Sequence, residues 1–578
     1  MKRLLLTLAA AAALAAAGLP ALSAHDRDDD RGRAKFELLE TTIPKIQKAL
    51  QTNVISITRL TRMYLKRIAA YDDAGPGINA YIHVSRRAVL DALQLDILGR
   101  HHGVSRKPLY GIPVLLKDNI DTADMPTTAG SVALAGSIPP DDAFITRKLR
   151  HAGAVILGKG TLTEYANFIA VGMPTGYSSL GGFGFNPYDP RVDPRTVAPF
   201  NDGRPVLQTG GSSSGPGIGT NANLAAVSIG TETSGSILSP ANANGLVGIK
   251  PTVGLVSRDG IIPITADQDT AGPITRTVTD AAIVLGVIAG FDPDDPATAA
   301  CLHRGNCFDD YTKFLNKKAL KGARIAVYSP PTPLAPNRQA IIDNAINVLR
   351  AQGAEVRILA VTDIPLQAGS CVNFPLPAIP APPAVRCSSV LLYGFQRDLN
   401  AYLAGTPDAP HHTLAEIVAF NSTFTPPMKY GQQIADAAMK LDISAGSSDT
   451  ARYLDDRAFD LANSRDVLNA IYFGPDGRRG TKDDTDAILA LGNNFAAAPA
   501  KAGFPSVTVP GGFIVADTNP PTNDPPINGP FPQTVTFSGP AFSEPRLIGL
   551  AYAFEQVTHY RVPPASTPAL PTDVVRKH

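Results

Sequence analysis

Two serines and one lysine are the residues of this sequence whose types and surroundings best suit catalysis. Ser212 lies in the run Gly210-Gly211-Ser212-Ser213-Ser214-Gly215, and Ser236 follows 24 positions later in Gly230-Thr231-Glu232-Thr233-Ser234-Gly235-Ser236. Lys117 closes an apolar run that begins at Gly111. A serine nucleophile, a second hydroxyl that passes the proton and a lysine base can attack a carbonyl carbon without a histidine. These residues therefore predict acyl transfer on an amide or an ester.

The glycine-containing turn that leads into Ser236 predicts a site for the negative charge that develops on the carbonyl oxygen. Small residues let the backbone turn tightly and aim successive N–H groups at one point. We expect an oxyanion hole formed by the backbone amides of Thr233, Ser234, Gly235 and Ser236. Loss of one such donor typically lowers the rate by ~10²–10³-fold.

Lys117 can act as a base only when it is uncharged, although a free lysine has a pKa of about 10.4. The apolar residues 112–116 predict burial, which lowers the pKa of a lysine.

The Gly211-Ser212 peptide is a candidate for a cis bond held by the surrounding fold. Two other interpretations stay open: a flexible Gly/Ser linker, and a structural lysine paired with Asp118. The apolar segment 224–229 argues against a linker. A phosphate-binding loop is a further interpretation of the glycine-serine run, but the residue order that such a loop requires is absent.

The elements that must position these residues alternate between helical and short apolar segments. Apolar residues recur at helical spacing over 60–68, and the apolar run that ends at Lys117 predicts a buried strand. Residues 143–159 predict a helix followed by a strand. Because this alternation continues to about residue 290, we expect an α/β fold with a mixed β-sheet flanked by α-helices on both faces.

The pattern predicts a single large domain over residues 36–565, with its densest motifs at about 108–290. Residues 183–207 resemble an insertion, and they run directly into the segment that holds Ser212. Long loops of this kind often form lids or pocket walls, and otherwise have no role in the site. Residues 566–578 are predicted to be a C-terminal tail.

Residues 1–24 have the pattern of a secretory signal peptide, with two basic residues, an Ala/Leu-rich stretch and a cleavage site near Ser23 and Ala24. The charged residues 25–35 are predicted to be a flexible lead-in. The alternative is a membrane anchor, but the apolar stretch is shorter than the ~20 residues that a spanning helix needs. We therefore expect an exported protein, periplasmic or secreted, whose mature chain has no membrane span.

The balance of charges argues against nucleic acid as a partner. The chain has 52 Lys and Arg residues against 51 Asp and Glu residues. Such a chain has no net field that would attract a polyanion or an anionic membrane.

Four cysteines fall into two local couples, Cys301 with Cys307 and Cys371 with Cys387. Four cysteines allow three pairings, and an exporting compartment permits disulfides. The near-neighbour pairing is favoured because each bond would close a short loop. A zinc site is the weaker interpretation, since CxxC spacing is absent, and free buried thiols are the remaining alternative.

The motifs together resemble the amidase signature family. Residues 210–252 resemble its glycine-serine signature, and residues 111–120 resemble its lysine motif. Further similarity is found over 248–257, 269–273 and the C-terminal segments around Pro505 and Gly539. The resemblance covers nearly the whole chain beyond the signal peptide. Within the family, the chain looks most like bacterial peptide amidases, which release ammonia from the C-terminal carboxamide of peptides.

The resemblance implies a role for each candidate residue. Lys117 would be the base, Ser212 the serine that follows a cis peptide bond and Ser236 the nucleophile that forms an acyl-enzyme. It also implies a large mixed sheet with helices and no metal or organic cofactor. Many relatives have arginine two positions after the nucleophile, where this chain has Leu238, and the insertion 183–207 changes the usual spacing.

The sequence thus predicts an exported serine amidohydrolase that acts on small-molecule amides, foremost on peptide C-terminal amides. Two alternatives within the family are a general aryl or acyl amidase and an esterase. A family member that acts on transfer RNA is disfavoured, because such proteins work in the cytosol. An alternative from another class is a non-catalytic binding protein with the same fold.

Overall fold

An eleven-stranded mixed sheet forms the centre of the protein. The computed structural model describes residues 34–102, 107–372, 386–423 and 428–577, the last range without 475, 479, 482 and 516–528. The strands are β1 Lys35–Glu37, β2 Tyr81–Val84, β3 Pro113–Lys117, β4 Val155–Gly160, β5 Tyr177–Ser178, β6 Gly182–Phe183, β7 Val227–Glu232, β8 Val247–Lys250, β9 Thr270–Thr275, β10 Arg324–Val327, β11 Glu355–Ile358, β12 Ala487–Leu491, β13 Ser506–Ile514, β14 Phe531–Ser538 and β15 Val574–Arg576. The order in the large sheet is β11-β10-β12-β14-β13-β8-β9-β7-β3-β4-β2.

Helices cover the two faces of this sheet, which confirms the predicted α/β class. They are α1 Ile43–Gln51, α2 Ile57–Tyr71, α3 Ala88–His102, α4 Phe144–His151, α5 Glu164–Asn167, α6 Ser214–Asn221, α7 Leu238–Ala243, α8 Val278–Ile288, α9 Pro336–Ala351, α10 Val390–Ala404, α11 Leu414–Thr423, α12 Gln433–Ala438, α13 Ser448–Leu461, α14 Val467–Phe473, α15 Ala497–Ala502 and α16 Glu544–Thr558. Within the described ranges, every helix is too short or too polar to cross a bilayer.

The segments predicted from periodicity form as expected. The apolar positions 60, 63, 64 and 68 lie on the buried face of α2, which begins after Ser56 because the side chain of Ser56 accepts a hydrogen bond from the Arg59 amide. All five residues of β3 are buried. A central strand is buried on both sides when helices cover both faces of its sheet, so its sequence is a continuous apolar run. Residues 143–159 form α4 and then β4, as predicted.

The order of the central strands brings distant segments to one edge of the sheet. Strand β3 pairs in parallel with β4 on one side and with β7 on the other, and Leu116 lies opposite Ile229. The carboxyl ends of parallel strands meet at the same edge. Lys117 at the end of β3 therefore faces Thr231 and Glu232 at the end of β7.

The two ends of the described chain pair with each other, which corrects the predicted domain limits of 36 and 565. Strand β1 lies antiparallel to β15, with Lys35 opposite Arg576. Behind this ribbon, Arg67 forms an ion pair of 2.6 Å with Asp573, and both side chains are almost fully buried. Arg67 also donates to four backbone carbonyls. Residues 566–577 are thus part of the folded domain, because the Asp573 carboxylate neutralises the buried guanidinium of Arg67. The predicted signal peptide and most of the lead-in lie outside the described residues.

Removal of the buried carboxylate should loosen this closure. We expect Asp573→Ala to lower the free energy of unfolding by about 3–5 kcal/mol, because it leaves the Arg67 guanidinium buried without its counter-charge. Chemical denaturation measures the effect. Glu37→Ala is the control, because its ion pair with Lys35 of the same strand is exposed and should contribute less than about 1 kcal/mol. Equal losses in the two variants would contradict the role assigned to the buried pair.

The cysteines are paired as the sequence favoured. Cys301 is bonded to Cys307 and Cys371 to Cys387, across 6 and 16 positions of the sequence. The first bond lies in the segment after α8, and the second precedes α10. Each bond restrains a loop between secondary-structure elements. Neither loop adjoins Lys117 at the end of β3 in the sequence.

Candidate active site

Lys117 is the innermost of the three predicted catalytic residues, and its side chain is fully buried. Its Nζ atom lies 2.7 Å from Ser212 Oγ, 2.8 Å from Thr231 Oγ1 and 3.3 Å from the Thr231 carbonyl oxygen. Burial lowers the pKa of Lys117 to about 7, against the opposing effect of the Asp269 and Glu232 carboxylates. A lysine with a pKa lowered in this way can lose its proton near neutral pH.

The interpretation of Lys117 as a structural ion-pair residue is wrong. The neighbouring carboxylate of Asp118 faces a second buried lysine, Lys159, with 3.6 Å between Nζ and Oδ1. Alternation along β3 explains this, because successive side chains point to opposite faces of the sheet. Among the described residues, Lys117 Nζ has no carboxylate within ion-pair distance.

Ser212 and Ser236 lie on two adjoining turns, each of which precedes a short helix. The Gly211–Ser212 peptide bond is cis, as the sequence suggested. The Ser213 amide donates to the Ser236 carbonyl oxygen at 3.2 Å, and this bond joins the two turns. Helix α6, which follows Ser213, can lie this close to β4 because it contains Gly215, where a Cβ atom would meet the Thr161 backbone at 2.4 Å.

Burial decreases outward along the three residues. Lys117 and Ser212 are fully buried, whereas Ser236 is 7% exposed. Of the two serines, Ser236 is thus the one that a substrate can reach from solvent. Ser212 is in contact with the amine of Lys117.

The Glu232 carboxylate holds the turn that contains Ser236. One carboxylate oxygen accepts from the Gly235 amide at 2.7 Å, and the other accepts from the amides of Ile237 and Leu238 at 2.7 and 3.0 Å. Gly235 has a φ of 84°, a left-handed conformation that glycine adopts without the steric cost of a side chain. This conformation turns the Gly235 N–H back towards Glu232.

The predicted oxyanion hole is therefore corrected at one position. The Gly235 amide is already bonded to Glu232 and is not free for a substrate oxygen. Across the described part of the chain, the amides of Thr233, Ser234 and Ser236 donate to no protein acceptor. These three remain as candidate donors.

Sequence reasoning missed the residues that support the candidate site. Thr231 bridges Lys117 and Asn119, whose side-chain amide donates to Thr231 Oγ1 at 3.1 Å. Glu232 was also missed. Both stand in the Gly-Thr-Glu-Thr segment before the nucleophile, and a buried carboxylate beside a tight turn is the signal that could have indicated the role of Glu232.

Leu238, which stands where many relatives have arginine, is 1% exposed, so it does not line an entrance.

Two cavities flank the turn that contains Ser236. One of about 490 Å³ has Thr231 and Thr233 in its wall. The other, of about 600 Å³, is lined by Gly210, Ser239 and Asn493 together with residues of the insertion 183–207. Ser236 is not among the described residues that line either cavity, so this open space borders the two ends of its turn.

Comparison with known proteins agrees with this geometry. A family model described as Amidase matches residues 59–369. An Arabidopsis thaliana protein that carries the name Probable amidase is 34% identical, over 92% of both chains. A glutamyl-tRNA(Gln) amidotransferase component of Carboxydothermus hydrogenoformans is 32% identical, over 91% of this chain and 99% of that protein.

A solved structure gives the same result. The native peptide amidase of Stenotrophomonas maltophilia superposes with a TM-score of 0.75 at 36% identity, over 92% of this chain and 99% of that chain. The family match covers more than half of the sequence, and the structural match covers nearly all of both chains. The chain is therefore an amidase that belongs to the amidase signature family.

Proposed function

We propose that the protein is a serine amidohydrolase in which Ser236 forms an acyl-enzyme, Ser212 relays the proton and Lys117 is the base. The observation that carries this proposal is the contact between Lys117 Nζ and Ser212 Oγ. An uncharged amine has two N–H bonds and one lone pair. Thr231 offers two acceptors, its Oγ1 and its carbonyl oxygen, and these match the two N–H bonds. The lone pair is then directed at the Ser212 hydroxyl.

In this mechanism Ser236 Oγ attacks the carbonyl carbon while its proton passes to Ser212, whose own proton passes to Lys117. The amides of Thr233, Ser234 and Ser236 stabilise the oxyanion. The proton returns through Ser212 to the departing nitrogen, and the C–N bond breaks. Water, activated by the same relay, then attacks the acyl-enzyme and releases the carboxylic acid.

We further propose that the substrates are peptides with a C-terminal carboxamide, which release ammonia. The likeness to the Stenotrophomonas maltophilia peptide amidase supports this choice. The two cavities that border the turn of Ser236 support it as well, because an acyl group as large as a peptide needs such space. General acyl amides, anilides and esters are the competing substrates.

Ammonia release from a panel of peptide C-terminal amides tests the proposal, beside p-nitroanilide and p-nitrophenyl ester substrates. We expect selective ammonia release, and its loss in Ser236→Ala together with the loss of labelling by a fluorophosphonate. Ser228→Ala is the control, a buried serine of the strand that leads into the turn. Turnover of the anilide or ester alone would reject the peptide substrate. Absence of both turnover and labelling would favour a binding protein with the same fold.

We also propose that the protein is exported. The signal-peptide pattern supports this location, although residues 1–24 lie outside the described residues. The two disulfides support it too, because such bonds persist in oxidising compartments and are rare in the cytosol. Cell fractionation and the N-terminal mass of the mature protein are the test, and an intact Met1 in the cytosolic fraction would reject export.

A further inference from the structure

The insertion 183–207 contains a hairpin that closes upon itself. The Asp193 amide donates to the Arg204 carbonyl at 2.8 Å, and the Val206 amide donates to the Arg191 carbonyl at 3.0 Å. Val192 and Pro205 form an antiparallel bridge between these two bonds. We call residues 191–206 the hairpin.

Three Asp-Xaa-Arg units stiffen this segment. In each unit the guanidinium donates from Nε and from Nη2 to the carboxylate two positions earlier, and the pairs are Asp189 with Arg191, Asp193 with Arg195 and Asp202 with Arg204. The Phe200 ring lies between two of these guanidinium groups, 3.4 Å from that of Arg195 and 5.6 Å from that of Arg204. Each unit balances its own charge, so the hairpin itself has little net charge.

Contacts with two other parts of the chain, residues 562–566 and 429–430, fasten the hairpin. At its base, Tyr188 Oη donates to the Val562 carbonyl and Ser566 Oγ donates to the Pro187 carbonyl. At its tip, the Tyr430 hydroxyl and the Lys429 ammonium group both donate to Asp202. A segment held at both ends forms a fixed wall of the cavity that it lines.

That cavity is the one of about 600 Å³ beside the turn that contains Ser236. On the side of the turn its wall includes Gly210, which precedes the cis peptide, and Ser239, whose amide donates to the Gly235 carbonyl at 2.7 Å. Asn493 completes this side, and its Nδ2 lies 3.7 Å from the position of a Cβ atom on Gly235. On the other side, the hairpin contributes apolar groups as well as Arg195 and Arg204.

Counted together with Asp202, the ion-pair partner of Arg204, the charged groups in the wall leave one cation in excess. They are Asp193 and three arginines, Arg195, Arg204 and Arg338. Arg195 is balanced by Asp193, and Arg204 by Asp202. Arg338, in the first turn of α9, is exposed and forms no ion pair with any described residue.

We propose that this cavity is a subsite for a carboxylate on the acyl part of the amide substrate, with Arg338 as its counter-charge. The apolar groups of the wall would hold the body of the acyl group, and the guanidinium of Arg338 would bind its anionic end. Acidic peptide amides are then better substrates than neutral or basic ones. This inference rests on the proposed function, because it names the substrates of that site.

The test uses N-acetyl-Xaa-leucinamides in which Xaa is Glu, Gln or Lys, with the full-length protein at low ionic strength. We expect kcat/KM to fall in the order Glu, Gln, Lys, with about a fivefold ratio between Glu and Gln, the effect of one partly exposed ion pair. Salt should reduce the ratio, since exposed charges are screened. Arg338→Gln should bring the ratio to about one, chiefly by lowering kcat/KM for the Glu substrate, and Arg338→Lys should restore most of the ratio.

Arg350→Gln is the matched control, because it removes an exposed arginine from the other end of α9. Equal kcat/KM for the Glu and Gln amides, or a ratio that persists in Arg338→Gln, would overturn the inference. A binding assay separates it from the proposed function. Calorimetry with Ser236→Ala should show tighter binding of the Glu amide than of the Gln amide, and loss of this difference on adding Arg338→Gln. If calorimetry gives this result while the wild type releases no ammonia from these amides, the subsite is supported and peptide amides are rejected as substrates.

Discussion

Replacement of Lys117 with methionine should lower kcat/KM by about 10²–10⁴-fold, which is the usual contribution of a positioned general base. Methionine keeps most of the buried volume but has no lone pair to accept the proton of Ser212. Steady-state ammonia release measures the effect. Lys250→Met is the control, because Lys250 is also fully buried, with a pKa lowered by burial to about 8, and it donates to the backbone away from Ser212.

The pH dependence of wild-type activity follows from the same group. Only the uncharged amine can accept a proton, and the pKa of Lys117 is lowered to about 7. We expect kcat/KM to rise with pH through about 7 and to level off above it. Lys117→Arg, which stays charged throughout, should be inactive at every pH. If kcat/KM of Lys117→Met or of Lys117→Arg still rises with pH through about 7, the titrating group is another residue.

Replacement of Lys117 should raise stability although it lowers activity. The pKa of Lys117 is lowered from 10.5 in the unfolded chain to about 7 in the folded protein. Between these two values the unfolded chain binds more protons, so the stability of the wild type rises with pH across this window. Lys117→Met has no such dependence. Its stability relative to the wild type should therefore be greatest at or below pH 7 and should diminish towards pH 10.5, as measured by denaturant unfolding.

The second large effect is expected at Glu232. Glu232→Gln should lower kcat by about 10²-fold, because its two carboxylate oxygens accept three backbone amides around Ser236. A carboxamide replaces one of these oxygens with an N–H donor, so in either orientation at least one amide of the turn faces another donor. The turn must then shift, and a displacement of about 1 Å in a catalytic group can cost ~10²-fold in rate.

Several measurements distinguish a displaced turn from general damage to the fold. Labelling of Ser236 by a fluorophosphonate should slow in Glu232→Gln, while KM for the amide changes little. Glu555→Gln is the control: Glu555 also accepts a backbone amide, that of Val278, but in the contact between α16 and α8. We expect it to lose stability and to retain kcat. Similar kcat losses in the two variants would show that Glu232 has no special role in the turn.

The local parts of this site could be predicted from the sequence. The apolar run before Lys117 indicated a buried strand, and the spacing of glycines and serines indicated two tight turns. The near-neighbour cysteine pairs were also predictable, because each closes a short loop. In all these cases the information lies within a few residues of the feature itself.

Contacts between distant segments could not be predicted in this way. The pairing of Asp118 with Lys159 depends on which strand lies beside β3 and on which face each side chain points to. The Asp573 carboxylate meets Arg67 across 506 positions of the sequence. The bond between Gly235 and Glu232 spans only three positions, but it depends on the left-handed conformation of one glycine.

The pairing of β1 with β15 has a consequence for the time course of folding. Of the described strands, the one that is synthesised first has as its partner the one that is synthesised last. At ~5–20 residues per second, translation of the chain takes roughly half a minute to two minutes. For that interval β1 has no partner, and the Arg67 pocket lacks its carboxylate. The domain can therefore close around Arg67 only after β15 has emerged from the ribosome.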